Sequence, residues 1–298
     1  MRRDHLVVLL AAGSIACGSS SPPPTVNTVV ITATALELPV GGTLQLVANA
    51  FDASGILIPG TKAAWTSSDP RIATISDVGV LSGVAFGDTN VTATVNGVTG
   101  TQPFTVSGIQ SGAGTAMVDG SMAAGEWSRA SILDIAAVNL PGGTTPGKLY
   151  VMNDGTDLYL ALTFSRTAPP AGETSDLSFE FDNDASGTLS AGDDGVIVSD
   201  GVFEDRTAAP CQAGGGVCSF RDIDVGGAKD GDGAFANAGG TSIYELRHPL
   251  RSGDSHDFLL VPGARIGMNV SLHLTQTGGA SQDTNVPGSS AFFPIIIR

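Results

Sequence analysis

Apolar and polar positions alternate with a period of two along most of the chain. In Thr43–Ala50, residues Leu44, Leu46, Ala48 and Ala50 share one face, and Val91-Thr92-Ala93-Thr94-Val95 repeats the pattern. Such alternation marks strands with one face turned to a core. Shorter strand-like runs occupy Val29–Thr32, Ala63–Thr66, Ile72–Ile75, Val80–Ser82 and Phe104–Val106. Gly41-Gly42, Ser54-Gly55, Asp69-Pro70, Asp77–Gly79 and Asn96-Gly97 separate them as turns. Short strands at this spacing predict an antiparallel sandwich over residues 26–107. Alternation returns after residue 117. Leu158, Leu160, Leu162 and Phe164 face one way, with Tyr159, Ala161 and Thr163 opposite. Ile266, Met268, Val270, Leu272 and Leu274 form another apolar face, and Ala291–Arg298 reads as a last strand that Pro294 confines to an edge or bulge. No window has a helical period. The chain is therefore expected to be all-β: two antiparallel β-sandwich domains, 26–107 and 117–298, joined by a short Gly/Ser linker at 108–116.

Particular phrases sharpen both halves. Leu38-Pro39-Val40-Gly41-Gly42-Thr43, Ala64-Trp65-Thr66-Ser67-Ser68-Asp69-Pro70, Ile72-Ala73-Thr74-Ile75 and Gly79-Val80-Leu81-Ser82-Gly83 resemble the group 2 bacterial immunoglobulin-like domain. That resemblance implies that Trp65 is a core residue between sheets and that the domain is a spacer, with direct adhesion as the alternative. In the second half, Val118-Asp119-Gly120, Gly125-Glu126-Trp127, Leu149–Leu160, Phe179-Glu180-Phe181-Asp182 and Tyr244-Glu245-Leu246 resemble family-9 carbohydrate-binding-module-like and DOMON-like sandwiches. The resemblance implies a ligand-binding sandwich, sometimes with structural calcium. Glycan sites often stack sugar rings on exposed aromatic faces. Trp127 is the sole tryptophan of this half, and Tyr150, Tyr159 and Tyr244 are expected to be half-buried.

The N-terminus and the charge balance bear on location. Arg2 and Arg3 precede an apolar Leu6–Ala12 run, too short to span a membrane, which needs about 20 residues. Ser14-Ile15-Ala16-Cys17 resembles a bacterial lipobox, which implies a signal peptide over 1–16 and lipid attachment at Cys17. Ser14 stands where an aliphatic residue is usual, and an ordinary secretory signal is the alternative. Residues 17–25 are a Ser/Pro-rich tether. By the same resemblance, the lack of Asp after Cys17 points to the outer membrane. The formal net charge of −15, with only 14% of residues charged, speaks against nucleic acid as a partner. The other cysteines, Cys211 and Cys218, flank a glycine-rich loop and suit a disulfide in an oxidising compartment.

The sharpest chemistry is Asp182-Asn183-Asp184-Ala185-Ser186-Gly187-Thr188-Leu189-Ser190-Ala191-Gly192-Asp193. On a calcium-loop template Asp182, Asp184 and Ser186 take positions 1, 3 and 5. Gly187 makes the sharp turn, Thr188 offers its carbonyl and Asp193 closes the set, with Asp194 beside it. Alternate residues of a tight loop converge their oxygens, as a hard cation requiring 6 to 8 of them demands. The alternative is a solvated acidic hairpin. Asp230 and Asp232 form a weaker second candidate that a glycine-rich turn explains equally. No metalloprotease or nucleophile-elbow motif occurs, and the adjacent Ser255-His256-Asp257 is not a triad, which is built from separated segments. The expectation is a non-enzymatic envelope protein that binds a glycan or another envelope ligand. The alternatives are a carbohydrate-active hydrolase with its site in the second half, or a haem-binding redox protein using Met152, Met268 or a histidine.

Overall fold

The computed structural model describes residues 24–211, 215–279, 281–288 and 291–298. Cys17, the signal segment and most of the tether lie outside them. The first half contains β1 (Thr28–Thr32), β2 (Glu37–Val40), β3 (Thr43–Gln45), β4 (Val47–Phe51), β5 (Ala64–Ser67), β6 (Ala73–Ile75), β7 (Val80–Gly83), β8 (Gly87–Val95) and β9 (Val98–Gln110). There follow β10 (Gly112–Ala113), β11 (Ser131–Leu140), β12 (Gly143–Asn153), β13 (Asp157–Ser165), β14 (Thr174–Asp182), β15 (Asp194–Ser199), β16 (Val202–Pro210) and β17 (Val217–Arg221). A four-residue helix, α1 (Asp222–Val225), then leads to β18 (Asp232–Ala238), β19 (Thr241–Pro249), β20 (Arg265–Thr275), β21 (Gln282–Val286) and β22 (Phe293–Ile296). The fold is all-β, as the alternation predicts. No helix among the described residues is long and apolar enough to cross a membrane.

The Thr43–Ala50 run is two strands, not one. β3 pairs with β7 and β4 pairs with β1, so the chain changes sheet at the buried Leu46. In the second half, one sheet runs β10-β12-β13-β19-β18 with β11 also on β12. The facing strands run β17-β16-β15-β14-β20, with β21 and β22 on β20. Leu158, Leu160, Leu162 and Phe164 meet Leu177, Phe179, Met268, Val270 and Leu272 in the core between the sheets. β13 is buried on both faces, because Trp127 covers Tyr159, Ala161 and Met152 from outside. That cover is fixed by Glu245, which is fully buried on β19. Its carboxylate accepts from Trp127 Nε1 (3.0 Å), the Asp119 amide (3.0 Å) and the Gly120 amide (2.8 Å).

The segment expected as a flexible linker is mostly strand. β9 continues to Gln110 and β10 follows at Gly112, with Ile109 and Ser111 buried. Two distant strands pair with it. β2 lies parallel through Val40–Ile109, and β22 lies parallel through Ile295–Ile109 and Ile296–Gln110. β22 is thus an inner strand between β20 and β9. Its proline falls where the ladder to β9 has not yet begun, opposite Gly108. There φ is +74°, and a Cβ would stand 2.4 Å from the Pro294 carbonyl oxygen, so only glycine fits. Around this joint the Phe86 and Phe293 rings lie 5.3 Å apart, and Ser111 Oγ donates to the Ile296 carbonyl. The two sandwiches share one hydrogen-bonded sheet and one continuous core.

Candidate functional site

The acidic loop joins β14 to β15, and its carboxylates do converge. Single oxygens of Asp182, Asp184 and Asp193 lie within 4.8 Å of one another. The loop is organised by those same side chains. Asp182 accepts from the Ser186 and Gly187 amides (2.9 and 2.7 Å), and Asp193 from the Asn183 and Ser190 amides (2.9 and 2.6 Å). Gly187, at φ +77°, makes the reversal the template requires. The other two expected ligands are engaged with each other, since Ser186 Oγ donates to the Thr188 carbonyl at 2.7 Å. A cation held by the three carboxylates could draw on Ser186 and Thr188 only if that bond were exchanged for the ion. The amides and hydroxyls on Asp184 hold its carboxyl below the usual range, while burial raises Asp193. Asp194 does not belong to this loop. It opens β15, where successive side chains point to opposite faces, and so turns away from Asp193.

Asp194 enters instead a buried group that the sequence reading missed. Its companions are Asp205 on β16, His248 on β19 and Asp257 in the loop after β19. One ligand atom from each of the four lies within 4.8 Å of the rest. Burial pushes the Asp194 carboxyl up to about 8. Burial opposes charge on His248, but Asp205, Asp194 and Asp257 together push its pKa up to about 9. Alongside lies Asp222, fully buried, raised to about 7 by burial and by the Asp205 and Asp257 charges. It groups with Asp254 and His256, whose side chains pair at 2.9 Å. A signal was present: Asp194 precedes Val196 and Val198, and Asp205 falls between Phe203 and Thr207, so both acids occupy inward positions of alternating strands.

The remaining expectations resolve individually. Asp230 and Asp232 do not join a carboxylate group; the Asp230 amide supports Asp205 Oδ2 at 2.6 Å. Cys211 and Cys218 are bonded, their Cα atoms 5.0 Å apart. The three tyrosines and two tryptophans are buried or half-buried. Tyr150 packs against Trp127, and Tyr244 stacks on Phe235. Met152 and Met268 are enclosed in two different clusters. Ser255-His256-Asp257 is split, with His256 toward Asp254 and Asp257 toward His248.

In the first sandwich Trp65 is half-buried against the core, and not enclosed between sheets. After it, the buried Thr89 hydroxyl meets Ser67 Oγ (3.0 Å), Ser68 Oγ (3.1 Å) and the Asp69 amide (3.2 Å), tying the Ser-Ser-Asp-Pro turn to β8. Residues 25–106 match the bacterial Ig-like domain (group 2). Ice-binding protein 1 of Shewanella frigidimarina is 38% identical over 69 residues, which are 23% of this chain and only 8% of that protein. Among solved structures, a family 9 carbohydrate binding module from Caldicellulosiruptor kristjanssonii, in complex with glucose, is 15% identical with a TM-score of 0.44. That similarity covers 64% of this chain and 95% of the module. The Escherichia coli adhesin FdeC is 13% identical with a TM-score of 0.27, over 91% of this chain and 65% of that one. The Ig-like domain thus accounts for the first sandwich, and β9 carries it directly into the second.

Proposed function

We propose that the protein is a non-catalytic cell-envelope lipoprotein, held at the outer membrane by lipid on Cys17. The Ig-like domain is its spacer and the second sandwich its ligand-binding head. The observation that supports this reading is the joint. A 13-residue strand, β9, passes from spacer to head, and β22 of the head pairs back onto it. A stiff joint gives the head a fixed orientation, which suits display. Calcium bound by Asp182, Asp184 and Asp193, with Ser186 and Thr188 completing the shell, holds the β14–β15 loop in shape. A glycan is the ligand class. With no aromatic side chain exposed among the described residues, it is recognised through hydrogen bonds to hydroxyls and not through ring stacking.

The test uses the full mature chain on a glycan array, beside a screen for sugar release from the same polysaccharides. Retention of intact glycan is expected; released sugars would overturn the non-catalytic reading, and a silent array the glycan reading. Mass spectrometry of the mature N-terminus should find a diacylglyceryl group on Cys17. An unmodified N-terminal residue there would remove the anchor.

A further inference from the structure

The buried group of Asp194, Asp205, His248 and Asp257 takes no part in the calcium loop or in the display reading. Three observations on it point to a bound ion. The first is a concentration of unpartnered atoms. Asp194 Oδ1, Asp205 Oδ1, both Asp257 oxygens and His248 Nε2 are inaccessible and have no hydrogen-bond partner. The second oxygens of Asp194 and Asp205 are held by the Phe258 and Asp230 amides (3.2 and 2.6 Å), leaving the first oxygens free for the cluster. Buried polar groups in native folds are nearly always satisfied, so five orphans at one point require a partner. Among the described residues no lysine or arginine pairs with any of these acids; their one cationic neighbour is His248. Water would satisfy hydrogen bonds there but brings no charge to balance the carboxylates that remain ionised.

The second observation is spacing. His248 Nε2 lies 3.6 Å from Asp205 Oδ1 and 3.6 Å from Asp257 Oδ2, beyond hydrogen-bond length. Two donors bound about 2.1 Å from one tetrahedral ion stand about 3.4 Å apart, close to this separation. The third is the histidine's orientation. Nδ1 is 2.9 Å from the Pro249 carbonyl oxygen, which only accepts, so Nδ1 carries a proton and donates it. That bond fixes the ring with Nε2 directed at the carboxylates, the usual support of a metal-ligating imidazole.

We propose that Asp194, Asp205, His248 and Asp257 form a structural site for a borderline divalent transition cation of the Zn2+ type, separate from the calcium loop. Three carboxylates and an imidazole supply four donors of the kind zinc accepts, in the closed arrangement of a structural site. Calcium takes 6 to 8 oxygens and fits poorly to so few donors with a nitrogen among them. The four ligands come from two neighbouring strands of one sheet, one strand of the other and a loop. The ion therefore ties the two sheets of the head together at one end. Asp205 and Asp257 also line two surface clefts.

The full chain, stripped with EDTA and dialysed, is titrated separately with ZnCl2, MnCl2 and CaCl2, with bound metal measured by mass spectrometry and unfolding followed by heat. One equivalent of Zn2+ should bind and raise the melting temperature, and CaCl2 in tenfold excess should not displace it. Asp257→Asn, nearly isosteric, should weaken zinc uptake at least tenfold, and His248→Ala should abolish it. The Asp182→Ala/Asp184→Ala variant should keep it, which separates this site from the calcium loop. Should His248→Ala fail to fold, Co2+ in the wild-type chain gives a second readout: visible bands of four-coordinate intensity, changed in Asp257→Asn. Sub-stoichiometric zinc, displacement by calcium, or uptake unaltered in Asp257→Asn and His248→Ala would each overturn the proposal.

Discussion

The joint between the sandwiches makes a prediction that can be worked quantitatively. Phe293 is 4% exposed at the start of β22, its ring 5.3 Å from that of Phe86 in the Ig-like domain. Phe293→Ala removes a buried aromatic where strands from both halves meet, which costs about 3–5 kcal/mol. The ring pair itself accounts for about 0.5–1.5 kcal/mol of that. The two tryptophans provide the assay, since Trp65 lies in the first sandwich and Trp127 in the second. Urea unfolding followed by fluorescence, with Trp65→Phe isolating the Trp127 signal, should give coincident transitions in the otherwise wild-type chain. In Phe293→Ala the Trp127 transition should fall by about 1.5–2.5 M urea, for a slope of about 2 kcal/mol/M, and the two transitions should separate. Phe86→Ala combined with Phe293→Ala should cost less than the sum of the two by the ring-pair energy. Separate transitions without any mutation at the joint, or strictly additive costs, would refute a joint that couples the halves.

Three other outcomes follow from the structure. Adding saturating CaCl2 to the metal-stripped chain should raise its melting temperature by about 5–10 °C, as expected for a ligand at about 100 times its dissociation constant; Asp182→Ala/Asp184→Ala should remove the response in calorimetry. Glu245→Ala leaves the Trp127, Asp119 and Gly120 donors without their acceptor and should lose about 3–5 kcal/mol in chemical denaturation, while the half-buried Tyr150 beside Trp127 gains solvent exposure measurable by quenching. Arg166 and Glu173 form a buried ion pair, and Arg166→Met should cost about 3–5 kcal/mol by stranding the carboxylate; replacing both partners with apolar residues should restore most of it.

How far the sequence disclosed this depends on the range of the forces involved. Period-two alternation is local, and it located the buried face Ile266–Leu274 of β20 and the Leu158–Phe164 face of β13 correctly. Between β12 and β13 the chain reverses at Asn153-Asp154-Gly155, where Asp154 accepts from the Thr156 and Asp157 amides. The same local view misread Gly108–Ala116. Its glycine and serine content resembles a linker, yet Ile109 is buried by β2 and β22, whose partners Val40 and Ile295 lie far off in either direction. The buried Asp/His group was hidden for a related reason. Asp194 and Asp205 stand at inward positions of alternating strands, but Asp257 lies in a loop, and only the folded sheets bring 194, 205, 248 and 257 to one point. The convergence of Asp182, Asp184 and Asp193 was legible because all three lie within twelve consecutive residues.

The pairing of β22 with β9 also orders the making of the protein in time. Ile109 acquires its Ile295 neighbour only after the whole second sandwich has been synthesised. Until then the far end of β9 lacks that partner, an unpaired strand margin beside apolar side chains of the kind that invites wrong associations. A contact closing so long a stretch of chain forms slowly. The Ig-like domain can assemble most of its own ladder early, but its last strand gains its partner in the second sandwich only with β22. The second sandwich is therefore tied to the Ig-like domain only once β22 is in place, and a chain cut before it carries an unfinished edge in its middle.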